Sequence, residues 1–328
     1  MKEITFLKQN ASRWEEYEKK IGTPTDLSPA ELTEMFIEIT DDLSFAKTHY
    51  NNTRTSTYLN GIASRIHQLV YKNKKEKGNR LISFFVAELP LMYRLYHLQL
   101  FYSFFVTAAA AFLGVVSQLN DESFARLILG DYYVDSTIER IRHGDPLGIY
   151  GEGNQFFMFV QITLNNIRVS FVAFVYGFFT SFGTALFLVY NGIMLGCFFT
   201  LFYQYNLLPS AFKVVWIHGT LEISAIIIAG SAGFILGNSF IFPGTHTRME
   251  SLMRRGKDGT KIIIGLVPVF ICAGFLESFV TRYYNTIHPA VNAVIIVSSF
   301  VFILWYFVIY PLQLKRKYYG NHTSHQAA

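Results

Sequence analysis

Along residues 1–80 the apolar positions recur at helical spacing between charged stretches. Trp14, Tyr17 and Ile21 share one face, and Leu32, Met35, Phe36 and Ile39 share another. Ser28 followed by Glu31 has the pattern of a capping box, which places a helix start there. A third series, Tyr58, Ile62, Ile66 and Val70, ends in the basic run from Lys72 to Lys77. These patterns predict three or four amphipathic helices forming a small soluble bundle. Residues 80–96 are apolar but interrupted by Pro90 and flanked by Arg80 and Arg94. That composition suits a helix lying in a membrane interface, so the head is expected to span residues 1–97.

From residue 98 the pattern changes to long apolar runs. A helix needs about 20 mainly apolar residues to cross the hydrocarbon core. The runs predict spans over 98–118, 156–180, 183–206, 213–238, 261–282 and 287–312. The stretch 156–206 is too long for one crossing, and Ser181-Phe182-Gly183 is the expected break. Residues 119–155 become an outer loop and residues 313–328 a basic tail. The predicted fold class is an all-α membrane protein, with an N-terminal soluble helical segment and about six transmembrane helices.

Composition sharpens this picture. Of the 328 residues 51% are hydrophobic and only 16% charged, against about a quarter charged in soluble domains. Half of the Lys and Arg residues fall in the first 97 positions. The loop 239–260 and the tail add Arg248, Arg254, Arg255, Lys315, Arg316 and Lys317 on the same expected side. By the positive-inside rule that side, with both termini, is cytoplasmic. The outer loop then carries the acidic series Asp121, Glu122, Asp131, Asp135, Glu139, Asp145 and Glu152. The basic residues read as topology signals, and no nucleic-acid partner is expected. The first twenty residues are charged and lack an apolar core, so no cleavable signal peptide is expected. Cys197 and Cys272 lie in apolar runs without CxxC spacing and read as packing residues.

Polar residues inside the spans are few, and such residues are costly in a bilayer. They are Asn165, Asn166 and Arg168 on the second span, His218 and Glu222 on the fourth, and Glu277 on the fifth. Counted from the ends of their spans, all six fall in the outer half of the membrane. His218 and Glu222 share a helical face, continued by Ala225, Ala229, Gly233 and Gly237. A ladder of small residues lets another helix approach closely. That helix could come from the same chain or from a second copy, so a homodimer is among the expected assemblies. The polar residues fit either a packing network or a proton, ion or ligand site. No HExxH, no second nearby His and no further nitrogen or sulfur ligand accompanies them, so no metal, cofactor or catalytic residue is expected. Gly151-Glu152-Gly153-Asn154 lacks a preceding strand and a following Lys, and reads as a turn at the membrane edge.

The fourth span, His218-Gly219-x-x-Glu222 with Ala225, Ala229-Gly230, Ala232-Gly233 and Gly237, resembles the signature segment of the stage II sporulation protein M family. Asn165-Asn166-x-Arg168 with Gly177, Asn191-Gly192 with Gly196, and Glu277 with Phe279-Val280-Thr281 resemble its other spans. Trp14-Glu15, Leu27-Ser28-x-x-Glu31-Leu32, Asp42-Leu43 and Tyr58-Leu59-Asn60 resemble the head of its longer members. The resemblance implies a multi-pass protein of the bacterial inner (cytoplasmic) membrane. It also implies a non-enzymatic scaffold for envelope proteins such as peptidoglycan-remodelling enzymes. A transporter or proton-coupled channel built on the intramembrane carboxylates is the alternative.

Overall fold

A computed structural model describes residues 2–22, 27–50, 53–72, 80–151 and 153–314. The basic run beyond Lys72, Glu152 and the tail from Lys315 onward lie outside the described residues. The chain divides into two compact units between Arg80 and Leu81.

The first unit holds three helices, α1 (Glu3–Gly22), α2 (Pro29–His49) and α3 (Arg54–Lys72). Their apolar faces meet in a core of large side chains, among them Phe6, Trp14, Ile39, Leu59, Ile62 and Ile66. Polar groups tie down the edges. Trp14 Nε1 donates to Asp42 at 2.7 Å, and Arg13 pairs with the same carboxylate. The Tyr17 phenol donates to Glu38 at 2.5 Å, and burial together with that carboxylate raises its pKa to about 12. Ser28 and Glu31 form the expected capping box at the start of α2.

The second unit begins with α4 (Arg80–Ser83), a π-helical turn (Phe84–Glu88) and α5 (Leu89–Leu95). The expected boundary at residue 97 therefore moves back to Arg80. The physical reason is burial, because Leu89 and Tyr93 enter the main core of this unit. The π turn frees carbonyls from the helical ladder, and other side chains take them up. Tyr306 donates to Phe85 O at 2.7 Å and Tyr310 to Val86 O at 2.8 Å, while Lys261 pairs with Glu88. Residues 84–95 are thus strapped along the bundle.

Then follow α6 (His97–Asn120), the loop helices α7 (Phe124–Leu129) and α8 (Asp131–Arg142), α9 (Gln155–Val175) and α10 (Thr180–Gln204). The last are α11 (Leu208–Ile241), α12 (Arg248–Phe275) and α13 (Pro289–Leu304). Five helical stretches are long and apolar enough to cross a membrane: His97–Asn120, Gln155–Gln204, Leu208–Ile241, Arg248–Tyr283 and Pro289–Leu314. Six were expected, because Gln155–Gln204 counted twice. At 50 residues that stretch would measure about 75 Å if straight, far beyond the bilayer core. It folds back on itself: Thr184 Oγ1 donates to Ala173 O at 3.2 Å, eleven residues earlier. The break is a 3-10 turn at Tyr176–Phe179 followed by Thr180 with φ of 65°, a few residues before the expected Ser181-Phe182-Gly183.

α11 is the central helix, packed against α6, α9, α10, α12 and α13. Its ladder is filled from within the chain. A Cβ on Gly233 would stand 2.5 Å from Ala173 O and 2.4 Å from Thr184 Oγ1, so the α9–α10 turn sits against bare backbone. Ser103 on α6 donates to Ile227 O at 2.5 Å. The ladder therefore joins helices of one chain. Cys197 is buried as expected, whereas Cys272 is exposed.

Candidate functional site

Three transmembrane helices bring four of the six expected polar residues together. His218 and Glu222 stand one turn apart on α11, and Asn166 on α9 faces Glu222. Glu277 arrives from the end of α12, where a π-helical turn at Leu276–Val280 interrupts the helix. Such bulges frequently mark functional sites, because they trade regular hydrogen bonding for the placement of a side chain. Here the turn brings a donor atom of Glu277 to within 4.8 Å of those of His218 and Glu222.

The cluster is largely buried, with His218 in the interior and Glu222, Glu277 and Tyr150 partly exposed. His218 is 3% exposed and the Glu277 side chain 14%. His218 Nδ1 lies 3.1 Å from Thr281 Oγ1, and Nε2 faces Glu277 Oε1 at 4.0 Å, too far for a hydrogen bond. Asn166 is 5% exposed and directs its carboxamide toward Glu222, outside strict hydrogen-bond distance. Thr163, one turn before Asn166, and Ser278, beside Glu277, also have unpartnered buried hydroxyls among the described residues.

Tyr150 closes the site from the outer loop, its ring 5.4 Å from that of His218. Burial, and after it the Glu277 carboxylate, hold the Tyr150 phenol protonated well above its ordinary range. Several contacts fix this lid. Arg282 donates to Gly151 O at 2.5 Å and to Gly153 O at 2.6 Å. Tyr284 donates to Asp145 at 2.5 Å, and Leu147 is buried against Phe199, Phe202 and Val214. Asn154 caps α9 by accepting from Phe156 N and Phe157 N.

Two expected members stand elsewhere. Asn165 and Arg168 are exposed on the outer face of α9, away from the cluster. The geometry of a helix separates them: Arg168 is two residues, about 200°, from Asn166 but three from Asn165. Conversely, sequence reasoning missed Tyr150 and Thr281 as site residues. Tyr150 lies in the outer loop just before the Gly151–Asn154 stretch that reads as a turn, and Thr281 enters only as part of a resemblance. The π turn that orients Glu277 has no sequence signature.

The comparisons with known proteins agree with this architecture. The family model described as stage II sporulation protein M matches residues 101–282, which include α9, α10, α11 and the whole cluster. The chain belongs to this family. A separate domain of unknown function (DUF8413) matches residues 4–72 of the head. No curated protein and no solved structure matches the chain. This family member is a multi-pass membrane protein.

Proposed function

We infer that the protein is a non-enzymatic scaffold of the bacterial cytoplasmic membrane, with both termini in the cytoplasm, that organises envelope proteins. Peptidoglycan-remodelling enzymes are the partner class expected from the family likeness. The observation that carries this reading is the way the cluster links separate elements. It joins α9, α11 and α12 to the outer loop through Tyr150, as a structural lock would. The bundle also has a cavity of about 640 Å³ between α6, α11 and α13, and none of the cluster residues line it. The outer loop, meanwhile, presents Leu127 and Tyr132 strongly exposed on α7 and α8. Fixed helices with exposed apolar side chains suit docking better than passage of a solute.

Affinity purification at native expression tests this reading, comparing wild type with Glu222→Gln and identifying the proteins retained. Envelope hydrolases or their regulators should accompany the wild type and be depleted by the substitution. Absence of any envelope partner from the wild type would count against the scaffold.

One observation favours a second reading, proton-coupled transport: Glu222 and Glu277 approach each other inside the bundle. On that reading Glu222→Gln abolishes flux in liposomes while the protein still folds.

A further inference from the structure

The two intramembrane carboxylates pose a charge problem. Charges in such an interior must be neutralised by protons or by a cation, because burying them unpaired is costly. Neither Glu222 nor Glu277 forms an ion pair with Lys or Arg among the described residues, and Arg282 is engaged with loop carbonyls. The imidazole beside them can take either of two tautomers. In the tautomer that donates from Nδ1 to Thr281 Oγ1, Nε2 is a bare lone pair aimed at a carboxylate 4.0 Å away. Two acceptors facing each other across that gap repel unless something positive lies between them.

We propose that His218, Glu222 and Glu277 bind a divalent transition-metal ion, with Asn166 as a fourth donor. The donor atoms already lie within 4.8 Å of one another. Around a tetrahedral ion with bonds near 2.0 Å they would stand about 3.3 Å apart, a contraction that side-chain rotation supplies. Half a turn of the Asn166 carboxamide, which now faces Glu222, presents its oxygen to the same space. Thr281 holds the far side of the imidazole, the position that outer partners of metal-bound histidines occupy. One imidazole among oxygen donors suits zinc, manganese or iron, since magnesium and calcium favour oxygen alone. The ion would tie α9, α11 and α12 together beneath Tyr150. This proposal goes beyond the scaffold reading and does not depend on it.

The test uses full-length protein purified in detergent. Samples are dialysed against Zn²⁺ or Mn²⁺, stripped of excess ion, and measured by elemental mass spectrometry. The wild type should retain about one equivalent of at least one ion per chain, and His218→Asn and Glu277→Gln less than a tenth of that. Thr281→Val keeps every donor and should weaken binding roughly 10–100-fold. Size-exclusion profiles and helical circular dichroism check that each variant is folded, and Thr281→Val serves if the donor variants are not. Less than a tenth of an equivalent in the wild type with both ions would overturn the proposal. So would full retention by His218→Asn and Glu277→Gln. Either failure leaves partner recovery untouched, so the two readings fail separately.

Discussion

The head and the membrane bundle are packed on opposite plans. In the head the large side chains are inside: Trp14 is 1% exposed, and Ile39, Leu59, Ile62 and Ile66 are fully buried. In the bundle many of the large side chains are outside, with Phe104, Phe105, Phe112 and Phe156 all more than half exposed. Its centre holds Ala225, Ala229, Gly233 and Gly237 together with Ser103, Thr184 and His218. The difference follows from the solvent. Water drives apolar area inward, whereas lipid is as apolar as phenylalanine and leaves helices to associate by close backbone approach and polar contacts. The head therefore relies on large side chains, whereas the bundle sets small residues along α11 beside large ones such as Phe202 and Phe270.

Substitutions can break this contrast. Trp14→Ala should cost the head about 3–5 kcal/mol, since it opens a cavity and removes one of the donors to Asp42. Limited proteolysis of the head in the full chain should report it. Gly233→Val should cost the bundle about 1–3 kcal/mol by overpacking against Ala173 O. That loss should exceed the gain of removing a helical glycine, and appear as a lowered melting temperature in detergent.

The lid gives a pH test. Burial, with the Asp145 hydrogen bond next, raises the Tyr284 phenol to about 12. Its contribution is full below the ordinary phenol range near 10 and is lost as pH rises through about 12. Amide exchange in residues 145–151 should therefore quicken across that window, and less so in Tyr284→Phe.

The smallest effects are the sharpest contrasts. Gly61 lies inside α3 with open space around it, so Gly61→Ala should stabilise the head by about 0.5–1 kcal/mol. Phe112→Ala removes an aromatic ring that is 66% exposed and should move bundle stability by less than about 0.5 kcal/mol. A large loss there would show that the ring packs against protein.

What was legible in the sequence follows the same physics. Apolar run length marks spans because lipid tolerates little else, and helical periodicity marks the head because water demands it. The break in Gln155–Gln204 was visible as excess length but misplaced. Gly183 looks like a hinge, whereas the chain turns through Thr180, a residue with no turn signature. Arg168 was drawn into the cluster by the cost of intramembrane charge alone. Counting angles around α9 would have excluded it, since Asn166 and Arg168 cannot share a narrow face. The meeting of Glu277 with His218 spans more than fifty residues and depends on a π turn, so only the fold reveals it.

Closure of the cluster beneath Tyr150 is the central claim, and the reactivity of His218 tests it directly. Diethyl pyrocarbonate modification of the protein in native membranes, mapped by mass spectrometry, compares His218 with the exposed His143 of the outer loop. His143 should be modified and His218 spared, with His218 becoming reactive in Tyr150→Ala. Modification of His218 in the wild type at a rate near that of His143 would contradict a sealed lock and indicate a site open to the aqueous phase.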